Sequence, residues 1–131
     1  YRYWAEVAPY YADDQTARLA QVMQPLADVA EMLRVRDVSF LVILSPYAYQ
    51  LVGRESSLMQ PQAKLQAFCA QRRIECVDAV EALRGSGLPM RRLFLPDDPD
   101  HYSSQGHTVI AQMIVARERA RRSPENSVAS P

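Results

Sequence analysis

The chain has 131 residues, of which 48% are hydrophobic, and its 15 basic side chains balance 15 acidic ones. This balance argues against nucleic acid or an anionic membrane surface as a partner, because both attract proteins through an excess of positive charge. The length and apolar content suit one globular core. The longest apolar run is far shorter than the ~20 residues of a transmembrane helix, so we expect no membrane span.

Cysteine is rare, with Cys69 and Cys76 the two residues of this type. Two cysteines are too few for a scaffold built on disulfides, and their spacing does not match a zinc site. We expect both to be free thiols packed in the core, with a single bridge between them as the alternative.

The two ends differ from the rest of the chain. It begins with Tyr1 and has no basic segment followed by an apolar one, so we expect that translation begins further upstream. The last nine residues, 123–131, are rich in proline and serine, and Val128 is their largest apolar side chain. This composition predicts a flexible tail. Residues 1–122 are assigned to one domain or part of one.

The first half of the chain predicts two helices and a strand. Apolar residues recur at three- and four-residue steps after the aspartates at 13–14, which predicts a long helix that Pro25 kinks or restarts. Residues 38–44 form a run that is apolar apart from Ser39 and does not alternate with polar residues, which is typical of a strand covered on both faces. A polar, tyrosine-rich loop is expected next, and Pro61 then begins a helix over 62–72.

The second half predicts two more strands and a last helix. Residues 74–77 form a short strand, and Asp78 is expected to cap a further helical turn. A third strand is expected at 93–95, then an acidic turn at 96–101 and a helix over 105–122. The buried face of that helix is expected to hold Val109, Ile110, Met113 and Ile114. Strands separated by helices imply parallel pairing through right-handed crossovers, which predicts an α/β fold with three layers, α/β/α. Three strands make a small parallel sheet, so we expect at least two more on the N-terminal side.

Ligands of an open parallel sheet bind beyond the carboxyl ends of the strands. The first predicted strand ends at Ser45, and Tyr47 and Tyr49 follow it, so these three residues are candidates for lining a substrate pocket. Ser45 is interpreted as pocket lining and not as a nucleophile, because Pro46 follows where a nucleophile turn needs a backbone donor.

The acidic turn is the richest chemically, since the carboxylate of Asp98 precedes the imidazole of His101 by three residues. Pro99 restricts the backbone between them, so a short turn can bring the two side chains together. Such a carboxylate holds the ring in one tautomer and stabilises the imidazolium that forms when the other nitrogen accepts a proton. On spacing alone, the alternative is a solvated acidic turn in which His101 has no role.

A longer block, from Leu95 to Ala111, resembles the closing block of the SGNH (GDSL-type) hydrolase superfamily, where Asp-x-x-His is followed by a polar pair, a Gly-His step and an apolar helix. The resemblance implies a flavodoxin-like sheet, with His101 as general base and Asp98 as its orienting carboxylate. It also implies hydrolysis of an acyl ester of a small molecule or glycan, without a cofactor.

Parts of the family pattern have no counterpart among the 131 residues: the Gly-Asp-Ser nucleophile motif, the glycine of the second block and the Gly-x-Asn-Asp segment. We therefore expect an N-terminal remainder of the domain to supply the serine and the oxyanion donors. Two alternatives stay open, a carbohydrate O-acyltransferase that uses the same residues and a binding module of this fold without catalysis.

Smaller features complete the block. Ser103 and Ser104 are expected to cap the last helix, and Gly106 to let it approach the sheet closely. His107 is expected to pack against the turn that carries Asp98. A metal site built from the aspartates and histidines of this block is a minor alternative, because no paired histidines at i and i+4 and no cysteine join them. We therefore predict no metal.

Overall fold

The computed structural model describes Pro9, residues 16–53 and residues 56–123. They belong to two compact units, of which the first ends at Asp78 and the second begins at Ala79. The aspartates at 13–14 and nearly all of the predicted tail lie outside the described residues, and so those expectations stay predictions.

The first unit combines a pair of parallel strands with several helices. Strand β1 pairs with β2 in parallel, with Leu41 opposite Glu75 and Leu44 opposite Asp78. The predicted parallel pairing of the first two strands is therefore confirmed. The elements in chain order are α1 (Thr16–Val22), α2 (Gln24–Arg34), β1 (Leu41–Leu44), α3 (Ala48–Val52), a 3₁₀ turn (Ser56–Met59), α4 (Gln60–Gln71) and β2 (Glu75–Asp78).

Prolines mark where two of these helices begin. Pro25 lies in the first turn of α2 and Pro61 in the first turn of α4, where the missing N–H has no partner to lose. Because α1 ends at Val22 and α2 begins at Gln24, the predicted long helix is restarted at this proline. The loop expected after β1 instead contains α3 and the 3₁₀ turn.

The core of the first unit is formed by buried residues of α2 and α4 and by the residue that precedes β2. Cys69 is buried and Cys76 is half-buried, and both are free thiols, as expected. The buried members of the core are Ala27, Phe68, Cys69 and Ile74, and the apolar residues packed against them include Met23, Leu26, Ala30, Phe40, Val42 and Cys76.

The second unit joins a small antiparallel hairpin to a long helix. Phe94 lies opposite Tyr102 and Leu95 opposite Asp98 in the hairpin. The expectation of a third parallel strand is therefore wrong. The elements are α5 (Val80–Gly85), α6 (Met90–Leu93), β3 (Phe94–Leu95), β4 (Asp98–Tyr102) and α7 (Ser104–Arg122).

The reversal after β3 has a local cause. Asp97 adopts a φ of 59°, the left-handed conformation that aspartate tolerates better than most residues. The chain turns back at once, and β3 pairs with the following segment instead of the parallel sheet. Asp78 ends β2, and the N-cap position of α5 is occupied by the next residue, Ala79.

At the level of fold class the chain is α/β, with a parallel two-stranded sheet and a small antiparallel one among mostly helical residues. No helix in the described part of the chain is long and apolar enough to cross a membrane.

Candidate functional site

Asp98 and His101 are in contact. The Nδ1 of His101 lies 2.8 Å from Oδ2 of Asp98. The other carboxylate oxygen, Oδ1, accepts hydrogen bonds from the backbone N–H of Asp100 at 3.1 Å and of His101 at 3.2 Å. One carboxylate therefore binds both the ring of His101 and the backbone that carries it.

Local sequence explains this arrangement. An aspartate readily accepts a bond from the backbone N–H two residues further on, which forms a tight turn without help from the rest of the fold. Pro99 lies inside the turn and has no N–H of its own to satisfy. Every group involved lies within four residues, so the contact depends on local sequence and not on distant parts of the fold.

Electrostatics favours the charged form of Asp98. Its pKa is lowered from the ordinary 3.8, first by the hydrogen bond from the Asp100 N–H and then by the interactions with His101, while partial burial acts in the opposite direction. An ionised carboxylate can only accept, so Nδ1 of His101 must be the donor. In the neutral ring this leaves Nε2 with the free lone pair.

The pair is open to its surroundings. The side chain of His101 is 74% exposed and that of Asp98 is 39% exposed. A ring in this position can accept a proton from a hydroxyl brought to it by a substrate or by another segment of protein.

The residues that follow His101 hold β4 in place. The ring of Tyr102 lies 4.7 Å from that of Phe94 and 5.8 Å from that of His107, measured between ring centroids. The backbone N–H of Ser103 donates to the carbonyl oxygen of Leu93 at 2.9 Å. His101 therefore lies on a hairpin that is fixed at its C-terminal end.

Ser103 caps α7, as predicted for this serine. Its hydroxyl accepts the N–H groups of Gln105 and Gly106, both at 3.2 Å, and donates to the carbonyl of Arg92. Ser104 is instead the first residue of the helix.

Gly106 lies in a close approach, although its nearest neighbour is the backbone of α6 and not the predicted parallel sheet. A Cβ built on it would overlap the carbonyl oxygen of Leu93 and would lie 3.0 Å from Cδ1 of Tyr102. The helix therefore approaches the junction of α6 and β3. His107 contacts Tyr102, the last residue of β4.

The other predicted site residues belong to the first unit. Ser45 is exposed and follows β1 directly, while the rings of Tyr47 and Tyr49 stack with their centroids 5.5 Å apart and an angle of 12° between their planes. Asp98 and His101 belong to the second unit. A role for these three residues in a substrate pocket stays a prediction.

Sequence reasoning missed a buried amide pair close to the two tyrosines. Gln50 and Gln62 are both buried, and Nε2 of Gln50 donates to Oε1 of Gln62 at 2.6 Å while Nε2 of Gln62 donates back at 3.2 Å. Gln50 also accepts the N–H of Tyr47 and donates to the carbonyl of Leu58. Glutamine is ordinary on exposed helix faces, so nothing in the local pattern marks this pair.

A groove of about 880 Å³ lies along α5 and α7 in the second unit, and neither Asp98 nor His101 lines it. Its lining includes Val109 and Met113, which belong to the predicted buried face of α7 but are only half-buried. Within the described ranges, no group of three or more His, Cys, Asp or Glu side chains could hold a metal ion.

Comparison with family models, curated proteins and solved structures gave no match to this chain. Nothing found in these comparisons links the chain to SGNH hydrolases, so that resemblance rests on the residue pattern itself.

Proposed function

We propose that this chain supplies the base of a serine ester hydrolase of SGNH type, with His101 as general base and Asp98 as its orienting carboxylate. The observation that carries the proposal is the 2.8 Å contact between Nδ1 of His101 and Oδ2 of Asp98, on a ring whose other nitrogen is the proton acceptor. The substrate is an acyl ester of a small molecule or glycan.

The proton path follows from this arrangement. Nε2 of His101 accepts the proton of a serine hydroxyl while the serine oxygen attacks the ester carbonyl, which gives a tetrahedral intermediate. The imidazolium then donates that proton to the departing alcohol, and an acyl-serine remains. Water attacks the acyl group next, deprotonated by the same Nε2, and that proton then passes to the serine oxygen as the bond to the acyl group breaks and the acid leaves. Asp98 stays ionised throughout, which agrees with its lowered pKa.

The proposal places the serine and the oxyanion donors in an N-terminal remainder of the domain, because their motifs have no counterpart in this sequence. Each oxyanion donor contributes about 3 kcal/mol, and loss of a nucleophile or base lowers kcat by about 10⁴-fold or more. We therefore expect the 131 residues by themselves to lack esterase activity.

The same proposal includes a flavodoxin-like, three-layer sandwich to which residues 1–122 contribute. In support, β1 is apolar throughout, and parallel strands of this kind are normally covered on both faces in sheets of more than two strands. Leu41, Val42 and Ile43 are all only half-buried. Further strands and helices of a complete domain would cover them.

The test uses the full-length protein, including the segment that carries the nucleophile, and hydrolysis of a nitrophenyl acetate. His101→Gln is expected to lower kcat by about 10⁴-fold, and Asp98→Ala to lower it strongly as well. Asp100→Ala is the matched control, since Asp100 is an exposed aspartate of the same turn that contributes only its backbone N–H.

Three outcomes would contradict the proposal. The first is equal activity of the His101→Gln and Asp100→Ala proteins. The second is a full-length protein with intact His101 that a fluorophosphonate probe of activated serines does not label. The third is turnover that depends on His101 in a preparation whose intact mass is 14.8 kDa, that of these residues alone. Acyl transfer to an added saccharide instead of water would identify the acyltransferase alternative.

A further inference from the structure

Helix α2 has a second apolar side besides the one that faces the core. Val29, Met32 and Val35 are 40%, 46% and 75% exposed, and residues three apart lie on one face of a helix. Val35 continues this face beyond the end of α2, because its φ of −61° and ψ of −23° are helical. These three residues are named the α2 stripe.

Two opposite charges flank the stripe symmetrically. Asp28 lies four residues before Met32 and Arg36 lies four residues after it. Asp28 accepts a bond from the amide of Gln24 at 2.8 Å, and Arg36 donates to the Met32 carbonyl at 2.9 Å. Neither has an ion-pair partner in the described part of the chain.

The neighbouring charges behave differently. Glu31 and Arg34 form an ion pair on the same helix, with Nη2 of Arg34 2.6 Å from Oε2 of Glu31. The helix therefore satisfies one pair of charges internally and leaves the pair around the stripe available for other contacts.

We propose that the α2 stripe is a contact between two copies of this chain, packed antiparallel about a two-fold axis at Met32. This symmetry places Met32 against the partner's Met32 and Val29 against the partner's Val35. It also places Asp28 against the partner's Arg36, and the same pair forms a second time across the axis, as an isologous contact requires. Parallel packing would oppose like charges, which is unfavourable.

The size of the stripe sets the strength of the contact. A stable interface buries about 800 Å² on each partner, more than three apolar side chains on two helical turns supply. The association is therefore weak and depends on concentration. The apolar side chains supply the attraction, and the two charge pairs select the antiparallel register.

The test is the molecular mass of the whole chain in solution, measured by sedimentation velocity from about 1 μM to about 1 mM, the range of weak complexes. The mass is expected to rise with concentration from 14.8 kDa towards twice that value. Met32→Glu is expected to weaken the association at least about tenfold, equivalent to about 1.4 kcal/mol. Val52→Glu, at an exposed valine on α3, is the matched control and is expected to leave it unchanged.

Charge reversal at Asp28 and Arg36 tests the register, because both side chains are exposed and can be replaced without disturbing the core. Asp28→Arg is expected to weaken the association, because each new arginine meets the partner's Arg36. Adding Arg36→Asp is expected to restore it. A monomer at every concentration, an equal effect of Met32→Glu and Val52→Glu, or no recovery in the doubly reversed protein would overturn the proposal. A monomer would result if another segment of this chain, or a different protein, covers the stripe instead.

Discussion

Asp98 binds His101 twice, through its ring and through its backbone. Oδ2 lies 2.8 Å from Nδ1 of the imidazole, and Oδ1 lies 3.2 Å from the backbone nitrogen of the same residue. The position of the ring and the course of the chain beneath it therefore depend on a single carboxylate.

The first prediction concerns the hydrogen bonds of Asp98 at low pH. Because the pKa of Asp98 is lower in the folded protein than the ordinary 3.8, its bonds contribute stability that is fully present above that value and is lost as pH falls through the folded pKa. The backbone N–H groups of Asp100 and His101 should lose their NMR signatures of hydrogen bonding in this acid range. Asp98→Asn, which does not titrate, should show no such change there.

An internal control comes from the cap of α7. The N–H groups of Gln105 and Gly106 bind the hydroxyl of Ser103, which does not titrate in acid. Their signals should persist while those of the turn change. If the signals of the turn and of the helix cap disappear over the same pH range, the whole unit unfolds in acid and the change is not specific to Asp98.

The second prediction concerns Gly106. Gly106→Ala should destabilise the protein by about 1–3 kcal/mol, the usual cost of overpacking, since the added Cβ overlaps the Leu93 carbonyl. Gly85→Ala is the control, because a Cβ there meets nothing within 4 Å. Urea unfolding compares the two, and equal stability of both variants would refute the close approach of α7.

The third prediction concerns the buried amide pair. Gln62→Leu leaves the side chain of Gln50 without one of its buried partners, which should cost about 1–3 kcal/mol. Gln71→Leu, at an exposed glutamine on the same helix, should change stability by less than about 0.5 kcal/mol. Thermal or urea unfolding measures both, and a Gln62→Leu protein as stable as the control would contradict the network.

The fourth prediction concerns Cys76. Burial, followed by the neighbouring Cys69 and Asp78, raises the pKa of its thiol to about 12. Since the thiolate is the reactive form, iodoacetamide at pH 8 should modify Cys76 at least about a hundredfold more slowly in the native protein than in denaturant. A cysteine introduced by Val52→Cys should react rapidly in the same sample. Equal rates by mass spectrometry would show that the thiol is accessible.

Features that depend on neighbours in sequence could be predicted. Pro25 and Pro61 mark helix starts through their own missing N–H groups, and the contact of Asp98 with His101 spans three residues. The parallel pairing of β1 with β2 followed from the helix that separates the two strands in sequence.

Features that apolar patterning does not encode could not be predicted. The left-handed turn at Asp97 is local, yet the apolar pattern gives no sign of it, and this turn directs the short strand Phe94–Leu95 onto β4. Gln50 and Gln62 are twelve residues apart and become a pair only after α3 and α4 pack. Apolar periodicity also predicted a buried face on α7, but periodicity does not show how much of that face other residues bury.

The most direct test of the proposed base is the protonation of the His101 ring nitrogens, measured by ¹⁵N NMR of the neutral ring. The account predicts that Nδ1 carries the proton and Nε2 does not, and that Asp98→Ala abolishes this preference. A ring protonated at Nε2 in the wild-type protein, or the same tautomer with and without Asp98, would contradict the account.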